Sequence, residues 1–550
     1  MNELKEKLRH ILLILGVVLL SSCVGMDQSG VQIEEECSEE CLAAIELKEG
    51  KTLCEQNADA DEYDDILGQG TPENPYIICT APQLFSIASE LTALSKSYRL
   101  ASDIDMNPYY LAGNPEFQIG SCGQTSCTLF GSGHEQFLGD FDGAGFVIFN
   151  FSYQNAGMNG ASFFGSVGPS GSVRNLTFEN LRVAGNSSVG GVAGRNDGAL
   201  SNIKVRSGLV TTLNNGASSI GGIVGTNYGS LIDSSVEDGS LSLVSITSYT
   251  SSYTGGLVGT NTRTGRVQNS TNTASVRQIR SGSVGGLIGL NQGVMTSSWN
   301  SGEVSGNGES IGGLVGVMDH QGKISKSYNS GPVEGQTGST KVGGLVGHIS
   351  FPSYNDQSKS EDESRGIVID SYNVSAVSAP DGEMVGGLIG HNQGEVVTSY
   401  NSGNVSSDQK VGGLVGVNDF MISQSFAHGF IISANGSYGN IVGLTPAADL
   451  ANGVNPTPSW DGDDEDYAEV KSPFNTYYAV TCAGCNNFAG IEVASHTLHQ
   501  SPASFRLYTE PYVYNCPSNA SNCPTETQYI THWDFGFVWK TVPGSLPVFR

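Results

Sequence analysis

Charge is what this sequence has least of: Asp, Glu, Lys and Arg together make up 15% of 550 residues, against roughly 25% in an ordinary soluble domain. That excludes a coiled coil or a long helical bundle, whose surfaces are built from Lys and Glu. Positive charge is scarcer still, with 26 Lys and Arg against 54 Asp and Glu and a formal net charge of −28. Such a field repels phosphate, no basic patch offsets it, and nucleic acid is therefore not an expected partner. No membrane-spanning helix is visible; the apolar run Ile11–Leu20 covers ten residues, about half of what a bilayer requires. Cysteine is missing between residues 128 and 481, so nothing covalent staples the middle of the chain. Glycine, by contrast, supplies 73 of the 550 residues, about 13% against the usual ~7%.

The N-terminus sets a compartment. Lys5, Lys7 and Arg9 precede the apolar run, which ends in Leu20-Ser21-Ser22-Cys23. This arrangement resembles the lipobox of bacterial lipoproteins, which implies removal of residues 1–22 and acylation of Cys23 as the mature N-terminus. An ordinary secretory signal with a chance cysteine is the alternative. Several acyl chains on one residue suffice for stable attachment, so the membrane would be a partner through lipid alone. Val24 is not the Asp that tends to retain lipoproteins at the inner membrane, which favours the outer membrane or the cell surface.

Setting Cys23 aside leaves ten of the eleven cysteines, an even number in a compartment where disulfides persist. Cys122/Cys127, Cys482/Cys485 and Cys516/Cys523 read as short-loop bridges, although the last four also match a four-cysteine zinc site in number. Cys482-Ala483-Gly484-Cys485 has the spacing of a redox motif without a surrounding βαβ pattern, and is read as structural. Cys37 and Cys41 lie four apart in an expected helix and point the same way, so they are expected to reach Cys54 and Cys79 rather than each other.

Composition divides the remainder into an acidic, cysteine-containing tether (23–66), an N-terminal capping module (67–150), a repeat region (151–445) and a C-terminal cysteine-containing capping module (446–550). In the first cap, Thr80-Ala81-Pro82-Gln83 suits a capping box, and Leu84, Ile87, Leu91 and Leu94 predict one helical face running to about Lys96.

The repeats are the most informative part. Gly-Gly-aliphatic-aliphatic-Gly, with variation in its third and fourth places, begins at Gly190, Gly221, Gly255, Gly285, Gly312, Gly343, Gly386 and Gly412, with a degenerate copy at Gly439. The spacings are 31, 34, 30, 27, 31, 43, 26 and 27 residues, the longest containing a polar insertion from Ser353 to Arg365. A recurring period of this size marks a repeat architecture. Each unit predicts two or three short β segments separated by Gly, Asn and Ser turns, and holds too few large apolar residues to enclose a core alone. Stacked coils share one, which predicts a β-solenoid with like residues in ladders. Asn196, Asn227, Asn261, Asn291, Asn392 and Asn418 fall at one place in the unit, as an internal asparagine ladder requires. The glycines are expected to supply positive-φ corners or close approaches between coils. About ten coils would make a rod of roughly 50 Å.

The Gly-Gly-Leu-Val-Gly repeat, with its following Asn and Ser-Tyr, resembles the GLUG motif of bacterial surface proteins, among them adhesin-like proteins and some immunoglobulin A peptidases. Residues 70–78 (Gly-Thr-Pro-Glu-Asn-Pro-Tyr-Ile-Ile), 100–106 and 141–145 are similar to the module that precedes such repeats, and Trp533-Asp534-Phe535, Trp539 and Leu546-Pro547 to the one that closes them. The resemblance implies an all-β fold, a right-handed parallel β-helix with a short helix-containing N-terminal cap, and a surface or adhesive role.

Candidate chemistry is thin. His134-Glu135-Gln136-Phe137-Leu138 lacks the second histidine of a zinc peptidase motif, and His496-Thr497-Leu498-His499 lacks its glutamate. Asp103 and Asp105 share one side of a strand, and Asp140 and Asp142 flank Phe141; both pairs read as turn-bonding residues before catalytic ones. Asp461-Gly462-Asp463-Asp464-Glu465-Asp466 offers hard oxygen ligands for Ca²⁺ but departs from EF-hand spacing, so a solvated loop is expected and no metal site is assigned. Trp299, Tyr328, Tyr372 and Tyr400, with Phe426, recur once per unit and read either as core or as an exposed ladder for sugar rings. The insertion near Ser353 to Arg365 is a contact loop or a tolerated bulge. The expected protein is a lipid-anchored bacterial cell-surface solenoid for adhesion or surface interaction, without a catalytic centre or cofactor, whose partners are a glycan or a surface protein. A carbohydrate-active β-helix enzyme (polysaccharide lyase or glycosidase) and a structural envelope protein are the alternatives.

Overall fold

The computed structural model describes residues 52–57 and 65–444, apart from 115, 121–135, 214–218, 239–243, 249–252, 280–281, 320, 351–364 and, near the end of the stack, 424, 428, 433–437 and 440–441, plus the short segments 477–478, 539–540 and 548–549. Within it the chain winds as a parallel β-solenoid. A full coil adds one strand to a ten-stranded sheet, one to a nine-stranded sheet and three to a composite thirty-stranded sheet, all of whose pairings are parallel. A full coil such as 283–306 contributes five short strands rather than two or three: Ser283–Gly285, Ile288–Asn291, Val294–Thr296, Trp299–Asn300 and Val304–Gly306. Ten strands at ~4.8 Å place the first and last about 43 Å apart.

The repeat motif stacks in register. Gly190, Gly221, Gly255, Gly285, Gly312, Gly343, Gly386, Gly412 and Gly439 pair in succession. Ile223, Leu257, Leu287, Leu314, Leu345, Leu388 and Leu414, the first aliphatic of each motif, have no solvent exposure and belong to one continuous apolar cluster. Each is worth about 1.5–3 kcal/mol of burial, which a lone coil has no partner surface to collect.

The motif glycines are there for close approach. In Gly312-Gly313-Leu314-Val315-Gly316, a Cβ on Gly313 would sit 2.5 Å from Asn329 Cγ and overlap the Gly344 carbonyl, and one on Gly312 would lie 2.8 Å from the Gly347 nitrogen. None of the three has a positive φ. The left-handed corner lies elsewhere and is not built from glycine: Asp233, Asn269, Ser297, Lys326, Asp370 and Thr398 occupy it with φ of 42–51°. Asn and Asp bond locally and tolerate this conformation; Lys and Thr do so at about 1–2 kcal/mol.

What holds the non-glycine corner is the serine that follows it. Ser270, Ser298, Ser327, Ser371 and Ser399 each donate to the carbonyl two residues back at 2.7–2.9 Å. Each hydroxyl also accepts the backbone N–H of the serine in the preceding coil at 3.1–3.3 Å. The expected asparagine ladder is present: Asn196 donates to Asn227, Asn227 to Asn261, Asn261 to Asn291, and Asn392 to Asn418, at 2.7–2.8 Å. It is interrupted by Met318 and Ile349, which take the same register positions. A second ladder, Asn272, Asn300, Asn329, Asn373 and Asn401, runs unbroken at 2.8–3.0 Å behind the aromatic column.

The solenoid closes at its N-terminal end on a capped helix. Parallel pairing already joins Tyr76–Ile78, Ser97–Leu100 and Asp140–Asp142 to the first long strand, so residues 67–150 contribute coils as well as a helix. The capping box forms as expected, with Thr80 and Gln83 reciprocally bonded. The helix itself ends at Ser89, and Leu91–Ser95 continues as a 3₁₀ turn. Leu91 consequently leaves the apolar face and is 59% exposed, against the expectation for it. Tyr98, Phe137, Phe141, Phe151, Phe163, Phe164 and Phe178 fill the first coils with mostly edge-to-face ring contacts of 5.0–6.4 Å. Cys54 bonds Cys79 directly. This corrects the pairing of Cys37 and Cys41 with those two: the capped turn Leu53–Gln56 lies against the strand that ends at Ile78, placing the two cysteines 5.6 Å apart at Cα. Cys23, Cys37, Cys41, Cys122, Cys127, Cys482, Cys485, Cys516, Cys523 and the acidic run 461–466 lie outside the described residues. Among the described residues no helix is long and apolar enough to cross a membrane.

Candidate functional site

Alternation along the short strand after the serine corner puts an asparagine inside and its neighbour outside. The neighbours of these asparagines fall in one column by backbone register, Ser235, Thr271, Trp299, Tyr328, Tyr372 and Tyr400, and Phe426 follows at the next backbone position. Its rings stack face to face: Trp299 on Tyr328 at 5.8 Å and 2°, Tyr328 on Tyr372 at 4.9 Å and 6°, Tyr372 on Tyr400 at 4.9 Å and 5°.

Exposure grades along the column. Trp299 is 36% exposed and Tyr328 half-buried, whereas Tyr372 is at 7% and Tyr400 at 1%. Burial raises the Tyr372 and Tyr400 hydroxyls well above the usual phenolic range. The column is thus neither wholly core nor wholly ligand face. Tyr372 and Tyr400 are corrected to core positions, because rings with so little accessible surface present nothing to a ligand; Trp299 and Tyr328 remain as the accessible part.

The carboxylate pairs are held by structure. Asp103 Oδ1 accepts the Val147 N–H at 2.8 Å, and Asp105 Oδ1 accepts from the Asn107 N–H at 3.0 Å and Asn150 Nδ2 at 2.7 Å. Both line a shallow cleft of about 370 Å³ beside Thr80, Pro82 and Tyr109. Asp140 and Asp142 clasp Arg174, and Asp142 also receives the Ala144 N–H at 2.9 Å and Asn175 Nδ2 at 3.0 Å. Among the described residues no three His, Cys, Asp or Glu side chains are grouped to hold a metal.

Two clusters escaped the sequence reading. Arg195, 4% exposed, grips Asp197 through two contacts of 2.5 and 2.6 Å and lies 4.0 Å over the Tyr228 ring. His348 and His391 stack at 5.0 Å and 8°, with His391 Nε2 2.6 Å from Asp419 Oδ2 and His348 Nε2 3.3 Å from Gln393 Oε1. Burial, aided by Lys341 and His391, lowers the His348 pKa to about 4. Both histidines occupy the same place in consecutive units, a periodicity that was legible once the register was known.

Fold and site together define a parallel β-solenoid repeat protein with a partly exposed aromatic column. The model of the GLUG motif matches residues 250–277, and the strand register carries that one match to the other copies. The chain is 35% identical over 147 residues to halomucin of Haloquadratum walsbyi, an alignment covering 27% of this chain and 2% of that protein. It is 34% identical over 144 residues to a protein of Evansella cellulosilytica named as a Gly-rich membrane protein, covering 26% and 15% respectively. The chain therefore spans a small fraction of the length of these relatives. A solved structure titled as an immunoglobulin A1 protease of Bacteroides ovatus superposes with a TM-score of 0.36 at 22% identity, over 57% of this chain and 79% of that one.

Proposed function

We propose that the chain is an exported protein, anchored by lipid at Cys23, that displays its solenoid at the cell surface for adhesion or surface interaction and carries no catalytic centre. The observation that carries the reading is the aromatic column: a rigid scaffold whose core needs are met by Leu, Val and Asn still turns Trp299 and Tyr328 outward. Exposed aromatics on a rigid frame are what recognition uses. The engagement of Asp103, Asp105, Asp140 and Asp142 with backbone and Arg174 supports a binding role over a hydrolytic one. The Leu20-Ser21-Ser22-Cys23 sequence and a relative named as a membrane protein support export and attachment.

Protease shaving of intact cells, followed by a blot for the protein, tests the location. Rapid loss of signal is expected; full protection until lysis refutes surface display. Labelling with a palmitate analogue tests the anchor in parallel, with incorporation expected in the wild type and lost in Cys23→Ala.

A further inference from the structure

The stack of rings does not fade out at its N-terminal end; it stops at a step. From Tyr400 back to Trp299 every rung carries a ring, and the next two carry Thr271 and Ser235. Because the rings face one another along the axis, within 2–6° of parallel, one indole face lies on Tyr328 and the other looks along the axis over the Thr271 rung. Threonine ends one bond beyond its Cβ, so the outer part of the indole stands clear of it, consistent with the 36% exposure of Trp299. The result is a ledge with an indole for its wall and hydroxyl-bearing side chains for its floor.

The sides of the ledge are polar. On the corner side lie exposed Asp233 and Asn269, joined by a 3.1 Å bond from Asn269 Nδ2 to Asp233 Oδ1. On the other lie exposed Thr273 and partly buried Glu237, the latter bonded by Ser235 Oγ at 2.7 Å and by Arg206 Nε at 3.1 Å. Glu237 is thus paired with a cation, while Asp233, bonded by a neutral amide, keeps its charge and stands as an acceptor for hydroxyl donors. An apolar side chain would fit the wall but would strip water from the hydroxyls and amide around it.

We infer that the free face of Trp299 is a subsite for one pyranose ring of a β-linked, glucose-configured glycan. Such a ring is a flat amphipathic disc, with only C–H bonds on its faces and hydroxyls around its rim. Its face lies on the indole and takes the place of the missing aromatic one rung on, about 4.8 Å away. Its rim hydroxyls meet Asn269 and Asp233 on one side and Thr273 and Glu237 on the other, both donating and accepting. This deepens the surface-interaction reading and rests on it, naming the ligand class and the residues that select it.

Calorimetric titration of the full chain with cellohexaose and with chitohexaose tests the subsite. At least one sugar is expected to bind. Trp299→Ala, which removes the wall, and Thr271→Trp, which fills the ledge with the next ring of the stack, each weaken binding by about tenfold or more. Tyr253→Ala, which removes an exposed aromatic of the nine-stranded sheet outside the column, leaves affinity within about twofold. Circular dichroism of each variant confirms an intact solenoid. Failure of both sugars to bind, binding that survives both Trp299→Ala and Thr271→Trp, or preference for a Trp-containing peptide over either sugar overturns the inference. The location of the protein is decided separately by shaving, so failure here leaves surface display standing.

Discussion

Asn300 is the position where the ladder physics is most exposed to test. Its amide donates to Asn329 Oδ1 at 3.0 Å and to the Gly302 carbonyl at 2.8 Å, and accepts from Asn272 Nδ2 at 2.9 Å and from the Gly302 N–H at 3.2 Å, all without solvent access. Asn300→Ala removes all four bonds and leaves the Gly302 N–H dry and without its acceptor. At about 1 kcal/mol net per bond the loss is ~4 kcal/mol. Asn291→Leu is the control. Asn291 ends the first ladder against Met318, accepts from Asn261 at 2.8 Å and Gly293 at 3.3 Å, and donates only weakly, to the Lys323 carbonyl at 3.5 Å. About half the cost is expected there, ~2 kcal/mol. Urea denaturation followed by circular dichroism gives both values. Because coils couple mainly to their neighbours, hydrogen exchange in Asn300→Ala should accelerate at Gly302 and Gly331 and remain unchanged around Tyr98. A cost below about 1 kcal/mol for Asn300→Ala, or equal costs at the two sites, would refute the claim that the amides act as a continuous ladder.

Gly313→Ala forces a Cβ to within 2.5 Å of Asn329 Cγ and is expected to cost about 3 kcal/mol or more, or to prevent accumulation of folded protein. Gly113→Ala, at φ +83° with nothing within 4 Å, should cost only about 1–2 kcal/mol, both read from thermal or urea midpoints. His348 titrates near 4 in the folded chain but near 6.5 unfolded, so the unfolded state binds the extra proton between those values and stability falls as pH drops from about 6.5 to 4. The loss amounts to at most ~3 kcal/mol below pH 4. His348→Gln should flatten that part of the stability profile; an unchanged slope refutes the assignment.

The sequence made legible whatever repeats in place. Gly-Gly-Leu-Val-Gly predicted the register that the strands adopt, and the Asn196 series predicted its ladder, which the structure shows interrupted at Met318 and Ile349. Less visible was which way each residue faces. Ser298-Trp299-Asn300 alternates inward and outward within three residues, so the second asparagine ladder and the serine ladder hid beside the aromatic column. Of the two roles expected for the glycines the motif copies take the close approach, because a serine bonded both along and across the chain can hold Lys326 or Thr398 in a left-handed conformation that glycine usually supplies. The burial of Tyr372 and Tyr400 depends on their surroundings in the folded stack, and the Cys54–Cys79 bond on the docking of a turn against a strand 25 residues away in sequence. Neither is encoded in local spacing.

Each amide-to-amide bond of both asparagine ladders runs toward the higher-numbered coil: Asn196 to Asn227 to Asn261 to Asn291, Asn392 to Asn418, and Asn272 through to Asn401. The rod therefore has a sense, and the aligned dipoles reinforce one another along it. It also makes length inexpensive to change. An extra coil inserted within such a run brings one donor and one acceptor and uses both, so the number of unmatched ends is the same for a short array as for a long one. A tandem duplication of one repeat lengthens the rod without creating a new polar debt in its interior.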